Sequence, residues 1–334
     1  MTERTMTLAA VEQLCLRALT AAGASEDNAA AVARSTMLAE RDGIRSHGLL
    51  YVPIYADHVR CGKVDGKARP AVSQPRPGAV IVDAATGFAH PAIDAGWDRF
   101  IAAARRNGVA AMTVFNSYNC GVVGHHAGRI AEAGLLGLCT THAPASIAPP
   151  GGRLPVIGTN PFALGVPDGA GGAALVLDQS ASVVAKSEIL LRSREGRPIE
   201  PGWAIDEHGA DTLDPAAALK GSMLPAGGHK GFGVGLLVEI LASCLAGAVL
   251  SKDASPFSGT AGGPPRTGQC FIAFDPRAFS TGFSHQVASL VAAIANQGDV
   301  RLPGSGRQAA RRRNEREGVR VDAGLVDRIE TFCR

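Results

Sequence analysis

Three apolar runs of strand length, Val109–Phe115, Leu135–Thr141 and Ala173–Asp178, constrain the fold of this chain more than any other feature. The first two are separated by a stretch of helical periodicity near Val122–Ala133, which is the pattern of an α/β fold. The last two are separated by Pro149–Gly172, rich in glycine and proline. Within compact domains, loops longer than about 12–15 residues are usually functional, so this segment is a candidate ligand wall. A β-like run at Ala79–Asp83, a helix from Pro91, a strand at Gln269–Asp275 and a helix at Ser284–Asn296 extend the same pattern. Upstream, Leu8, Val11, Leu14, Cys15, Ala18 and Leu19 recur at helical spacing, and Ser25 can cap a second helix whose first turn holds Glu26 and Asp27. The stretch from Gly62 to Gly78 is punctuated by proline and glycine and reads as irregular.

With 334 residues and 46% hydrophobic content, the chain can bury a sizeable core and divide into two lobes. We expect a helical N-terminal portion over residues 1–75, a mixed α/β portion over 76–300 for cofactor and substrate, and a segment 301–334 that returns to the helical portion. A net charge of +3 provides no field that selects nucleic acid or membrane, so neither is expected as a partner. Seven scattered cysteines, none in a CxxC pair, suit a reducing compartment. The start MTERTMTLAA lacks the features of a signal peptide, and a cytoplasmic location is expected. Phe232–Leu250 is apolar but carries Glu239 near its centre, so it reads as a buried core helix rather than a membrane span. The Arg311–Arg313 run, followed by Glu315 and Glu317, reads as a solvated helix face.

The dinucleotide fingerprint GxGxxG is missing: Gly231, Gly233 and Gly235 alternate, but Leu236 and Val238 follow where the third glycine is required. GxxxxGK[ST], HExxH and GxSxG are also missing. His125 and His126 are adjacent rather than spaced along one helix face, so no metal site is expected.

Arg45-Ser46-His47-Gly48 places a histidine, a residue able to exchange protons near neutrality, ahead of an apolar run with Tyr51 and Tyr55. Downstream come Ala148–Gly152, Gly158-Thr159-Asn160-Pro161, Leu177–Ser182, Pro201–Ala204, Asp211–Pro215, Leu224–Gly231 and Arg301–Gly304. Together and in this order they resemble the motifs of the type 2 malate/L-lactate dehydrogenase family. The resemblance implies that family's non-Rossmann α/β fold, with a mixed-sheet cofactor domain and a helical domain. It also implies NADPH or NADH as cofactor, a homodimer, and His47 as the proton donor to the substrate. The cofactor-binding residues would be Gly158, Thr159, Asn160, Asp178, Ser180, Ser182, His229, Lys230, Gly304 and Ser305. Physical chemistry agrees for several of them: glycines let backbone amides approach phosphate, Lys230 offers a point charge, and Thr159, Asn160, Ser180 and Ser182 offer hydrogen bonds.

Three departures fall on the substrate side. Members usually carry arginine four residues after the histidine, where this chain has Tyr51, so a bidentate carboxylate clamp is lost. Asn119 stands where a second ionisable histidine is usual, and Thr141-His142-Ala143 replaces the family's T-N-[ST]. Tyr51, Tyr55, Asn119 and His142 are therefore the candidate substrate residues. The segments GIRSHGLL, GKVDG and GFAHPAI look most like the sulfolactate and cyclic-ketimine branches. The expected chemistry is hydride transfer between a nicotinamide and the C=O or C=N carbon of a 2-oxo acid or cyclic ketimine. The alternatives are a 2-hydroxy acid dehydrogenase of sulfolactate or malate type and, in another class, a non-catalytic dinucleotide binder.

Overall fold

The computed structural model describes residues 2–334. In chain order it begins with β1 (Glu3–Met6), α1 (Leu8–Ala21), α2 (Glu26–Arg41) and α3 (Val52–Arg60). Next come β2 (Ala71–Arg76), β3 (Ala79–Asp83), α4 (Ala89–Asn107), β4 (Val109–Ser117), α5 (Val123–Glu132) and β5 (Leu136–Thr141). β6 (Phe162–Pro167), β7 (Ala173–Gln179), α6 (Lys186–Glu195), β8 (Ala204–Ile205), α7 (Pro215–Lys220) and β9 (Ser222–Met223) follow. The chain ends with α8 (His229–Glu239), β10 (Thr267–Phe274), α9 (Phe283–Ala295), α10 (Ser305–Glu317), β11 (Val319–Asp322) and α11 (Ala323–Glu330).

A seven-stranded mixed sheet of order β2-β3-β4-β10-β5-β6-β7 forms the centre. Only β3 and β4 run parallel, because α4 crosses between them; every other neighbouring pair is antiparallel. α4 and α5 cover one face over Val80, Val82, Met112, Val114 and Phe271, with Phe100 and Ile130 buried in the same core. Gly96 lets α4 sit against Met112, where a Cβ would lie 2.6 Å from the sulfur. A second core joins α1, α2 and α3 to the C-terminal end: Leu14, Leu19, Tyr55, Val321 and Ile329 pack together, and β1 pairs with β11. Ser25 caps α2, with Glu26 and Asp27 in its first turn, as the sequence suggests, and Thr7 caps α1.

Several sequence readings change. Pro149–Gly172 contains β6, a strand hidden by Gly165, whose missing side chain lets the Ala127 carbonyl of α5 approach the sheet. Gly62–Gly78 contains β2, which tolerates Pro75 because it is the outermost strand. Phe232–Leu250 is not one buried helix. α8 ends at Glu239 and continues as a π-helix over Ile240–Leu245, and only one side is covered: Val238 and Ala242 are buried, while Leu237, Ile240 and Leu245 are 52%, 52% and 61% exposed. Arg311 is not simply solvated, because it makes a two-armed ion pair with the buried Asp42, at 3.0 and 2.7 Å; Arg312 and Arg313 are exposed. No helix among the described residues is long and apolar enough to cross a membrane.

Candidate active site

His47 ends a short 3-10 turn whose shape is set from α2. The buried Glu40 carboxylate accepts the Leu49 amide at 2.7 Å and fills the space beside Gly48, where any Cβ would collide with it. Burial raises the Glu40 pKa, against the Leu49 hydrogen bond and the nearby Arg45 charge. The Ser46 hydroxyl lies 3.0 Å from His47 Nδ1 and can donate to it or accept from it, so it follows either protonation state. Burial lowers the His47 pKa below the ordinary histidine value; the Asp178 charge opposes that, and His125 and Arg307 reinforce it.

Beside His47 the chain builds a row of aromatic rings. Tyr51 lies parallel to His47, with centroids 6.4 Å apart and planes within 4°, and Tyr55 follows at 4.9 Å. Tyr118 meets Tyr55 edge-on at 5.9 Å. Asn119 Oδ1 accepts the Gly121 amide at 2.7 Å and the Tyr55 hydroxyl at 3.4 Å. Burial pushes the Tyr51 phenol up to about 12, so at neutral pH it is a neutral donor. Tyr51, Tyr55 and Asn119 thus stand together beside His47. His142 has other neighbours: it is 1% exposed, its Nδ1 accepts the Gly268 amide at 3.2 Å, and its charge environment is set by burial and then by Glu239.

Asp178, at the end of β7, accepts the Gly124 amide at 3.2 Å and Arg307 at 2.7 Å. The first turn of α5, Arg307 and Asp178 therefore meet, within electrostatic reach of His47. Neither Arg307 nor the α5 terminus stood out in the sequence, since Gly124 and Arg307 are far apart in the chain and belong to no local motif. A further charged knot lies behind, where Asp42 receives His125 Nε2 at 3.2 Å as well as Arg311 and Arg41. Burial alone would raise the Asp42 pKa, but these three partners outweigh it and hold the carboxyl well below the usual range.

The remaining residues separate by whether they have hydrogen-bonding capacity left for a ligand. Gly227 and Gly228 both have positive φ (69° and 64°), a conformation that side chains resist, and they turn the chain into α8 with His229 and Lys230 exposed at its first turn. Free helix-terminal amides and a solvent-facing lysine fit the phosphates of a dinucleotide. Gly304 (φ 84°) opens α10 in the same way, against the backbone of Val176, with Ser305 in the first turn. Thr159 is half-buried, and its carbonyl accepts the Ala181 amide at 2.8 Å. Ser180 and Ser182 hydroxyls are 3.1 Å apart, and Ser182 donates to the Val184 carbonyl at 2.7 Å. Asn160 is spent internally: fully buried, it donates to the Gly235 carbonyl at 3.0 Å and to Glu239 at 2.8 Å, and accepts from Ala143. Its amide ties the Gly158 turn to α8 and leaves no hydrogen for a ribose. Gly158 serves that closure, since a Cβ there would collide with the Ala143 carbonyl.

A histidine with an attendant serine and an acid within electrostatic reach can exchange protons, and the open glycine turns at two helix starts can receive an anion. The sequence profile described as malate/L-lactate dehydrogenase matches residues 6–330. The chain belongs to that family. It is 41% identical to the Δ1-pyrroline-2-carboxylate reductase of Ancylobacter novellus, over 98% of this chain and 97% of that protein. It is 40% identical to the (2R)-3-sulfolactate dehydrogenase (NADP+) of Chromohalobacter salexigens, over 99% of this chain and 98% of that protein. Among solved structures, the Δ1-piperideine-2-carboxylate reductase of Pseudomonas syringae pv. tomato superposes with a TM-score of 0.93 at 32% identity, covering 98% of this chain and 99% of that one. The family membership makes this chain an NAD(P)-dependent oxidoreductase, and its mixed sheet is the family's.

Proposed function

We propose that this protein reduces a cyclic 2-imino acid, of the pyrroline- or piperideine-2-carboxylate kind, with NADPH or NADH. The observation that carries the reading is Tyr51, a neutral ring stacked parallel to His47 where a carboxylate-clamping guanidinium is expected. A small 2-oxo diacid loses its two-armed anchor there, whereas a flat ring gains an aromatic face. A protonated imine also gains attraction to that face, worth about 0.5–2 kcal/mol. Two of the relatives named above act on such imines, which supports the same choice.

The nicotinamide, when bound, supplies the hydride. Lys230, the Gly227–Gly228 turn and Gly304 would hold the cofactor's phosphates and ribose. His47 exchanges the proton at the substrate heteroatom, with Ser46 following its Nδ1 and Asp178 stabilising the imidazolium. Burial favours neutral His47 in the free enzyme, which suits an imine that arrives already protonated better than a ketone that must be given its proton. Tyr51, Tyr55 and Asn119 line the substrate side. The helical N-terminal portion and the 301–334 segment form one unit, a reading supported by the β1–β11 pairing and the shared second core.

A homodimer is part of the same reading. α9 has no buried residue despite its apolar sequence, and α8 with its π-helical extension exposes Leu236, Leu237, Ile240 and Leu245. Apolar area of this kind is usually covered by a partner. Sedimentation of the wild type and of Leu237→Glu/Ile240→Glu checks this: the wild type should be dimeric and the variant monomeric, and a monomeric wild type would contradict it.

The functional test is a panel of 1-pyrroline-2-carboxylate, 1-piperideine-2-carboxylate, pyruvate, oxaloacetate and sulfopyruvate, followed by NADPH or NADH oxidation. The cyclic imines should give the highest kcat/KM. Preference for an oxo acid would overturn the reading, and cofactor binding without reduction of any compound would mark a non-catalytic binder.

A further inference from the structure

Among the described residues, one buried lysine takes no part in the site described above. Lys63, 1% exposed and just beyond α3, donates from Nζ to the carbonyls of Pro256 at 2.7 Å, Gly259 at 3.3 Å and Ala261 at 2.8 Å. An ammonium carries three hydrogens, and each has an acceptor. The segment it gathers, residues 255–262, has no helix or strand of its own, and it contains Gly259 and Gly262 at φ 66° and 82°. Such a segment has high chain entropy, so its shape needs an external tie.

His58 adds a second tie. Its Nε2 lies 2.8 Å from the Gly259 carbonyl, which only accepts, so Nε2 carries the hydrogen. Nδ1 of the neutral ring is then an acceptor, and the buried Tyr118 hydroxyl donates to it. Held from both sides, the segment seats Phe257 edge-on against Tyr118, with centroids 5.3 Å apart. From Phe257 the contacts run unbroken through Tyr118, Tyr55 and Tyr51 to His47.

We propose that residues 255–262 form a wall of the substrate pocket, with Phe257 as a residue that selects substrate size and Lys63 as the positioning residue that holds it. This rests on the reading of the Tyr51–Tyr55 side as the substrate side. Lys63 is separated from its acceptors by nearly two hundred residues of chain, so the tie fixes one edge of the aromatic row from the opposite end of the sequence. An apolar ring at that edge touches the saturated carbons of a cyclic substrate and does nothing to the cofactor.

Three variants test it. In Phe257→Ala, the kcat/KM ratio of the six-membered to the five-membered imine should rise by about 10-fold, the usual scale for one methylene in an apolar pocket. In Lys63→Met, KM for either imine should rise by about 10-fold or more, with the cofactor Kd unchanged and hydrogen exchange over 255–262 accelerated; that scale corresponds to loss of a charge-assisted hydrogen bond. A ratio within twofold of wild type in Phe257→Ala, or faster exchange in Lys63→Met with an unchanged KM, would overturn the proposal. Phe257→Trp gives a readout free of turnover: titration with pyrrole-2-carboxylate, a planar unreactive analogue, should change its fluorescence saturably beyond any change in wild type. Lack of that change would also overturn the wall. Failure of the wild type to reduce either imine would instead overturn the reductase reading, while the fluorescence and exchange results still decide the wall.

Discussion

The substrate and cofactor sides of the proposed site are built by opposite means. On the substrate side, His47, Tyr51, Tyr55 and Tyr118 pack ring against ring in a largely buried row, Asn119 accepts the Tyr55 hydroxyl, and Glu40 fixes the turn from behind. On the cofactor side, Gly227, Gly228 and Gly304 bend the backbone so that amides and Lys230 face outward with no protein partner for the Lys230 ammonium among the described residues. The first arrangement fixes geometry before any ligand arrives. The second leaves hydrogen-bonding capacity open for an anion. Changes to the first should therefore alter turnover and substrate choice, and changes to the second should alter cofactor affinity alone.

The largest separation is expected at His47. His47→Asn should lower turnover of a 2-oxo acid, whose oxygen must receive a proton, about 10²–10⁴-fold with cofactor affinity preserved, the range for losing a general acid/base, and should lower turnover of an already protonated imine far less. Stopped-flow single turnovers together with a cofactor titration measure both quantities, and retained turnover would move the role to another residue. Lys230→Met should do the converse, weakening cofactor binding about 10–100-fold through loss of one charge-assisted hydrogen bond, with turnover at saturation nearly unchanged. Unchanged affinity by fluorescence titration would remove Lys230 from the phosphate site. A smaller effect concerns pH. Reduction of a 2-oxo acid needs the imidazolium, and burial lowers the His47 pKa, so kcat/KM for such a substrate should fall about tenfold per unit as pH rises above a pKa lower than the ordinary histidine value. A profile flat across that range would show that His47 does not supply the proton.

The same contrast explains what the sequence displays. The cofactor turns are local, and Gly-Gly before an apolar helix announces a positive-φ turn in any chain. The strands β4, β5 and β7 are legible because their apolar runs are continuous. β6 escapes notice because Gly165 and its flanking prolines look like loop punctuation, although that glycine is what admits the α5 backbone. The exposed face of α8 is illegible for a different reason: apolar residues read as core whether the cover is the same chain or another one. The contacts behind the proposed substrate side follow no spacing rule: Glu40 takes the Leu49 amide nine residues on, while Arg307 with Asp178 and Lys63 with the 255–262 segment join distant parts of the chain. Asn160 shows the limit of motif reading from the other direction. Its residue type suits a ligand donor, but its hydrogens are already committed to Gly235 and Glu239.

The most direct test of a substrate side redirected on a retained cofactor side is the kcat/KM ratio of 1-piperideine-2-carboxylate to oxaloacetate, in wild type and in Tyr51→Arg. The wild-type ratio should be well above one, and Tyr51→Arg should lower it by about 10–100-fold, the worth of a charge-assisted pair at the carboxylate, with cofactor affinity unchanged in both. A wild type that reduces oxaloacetate with kcat/KM of roughly 10⁴ M⁻¹s⁻¹ or more, or a ratio that Tyr51→Arg leaves where it was, would contradict the account.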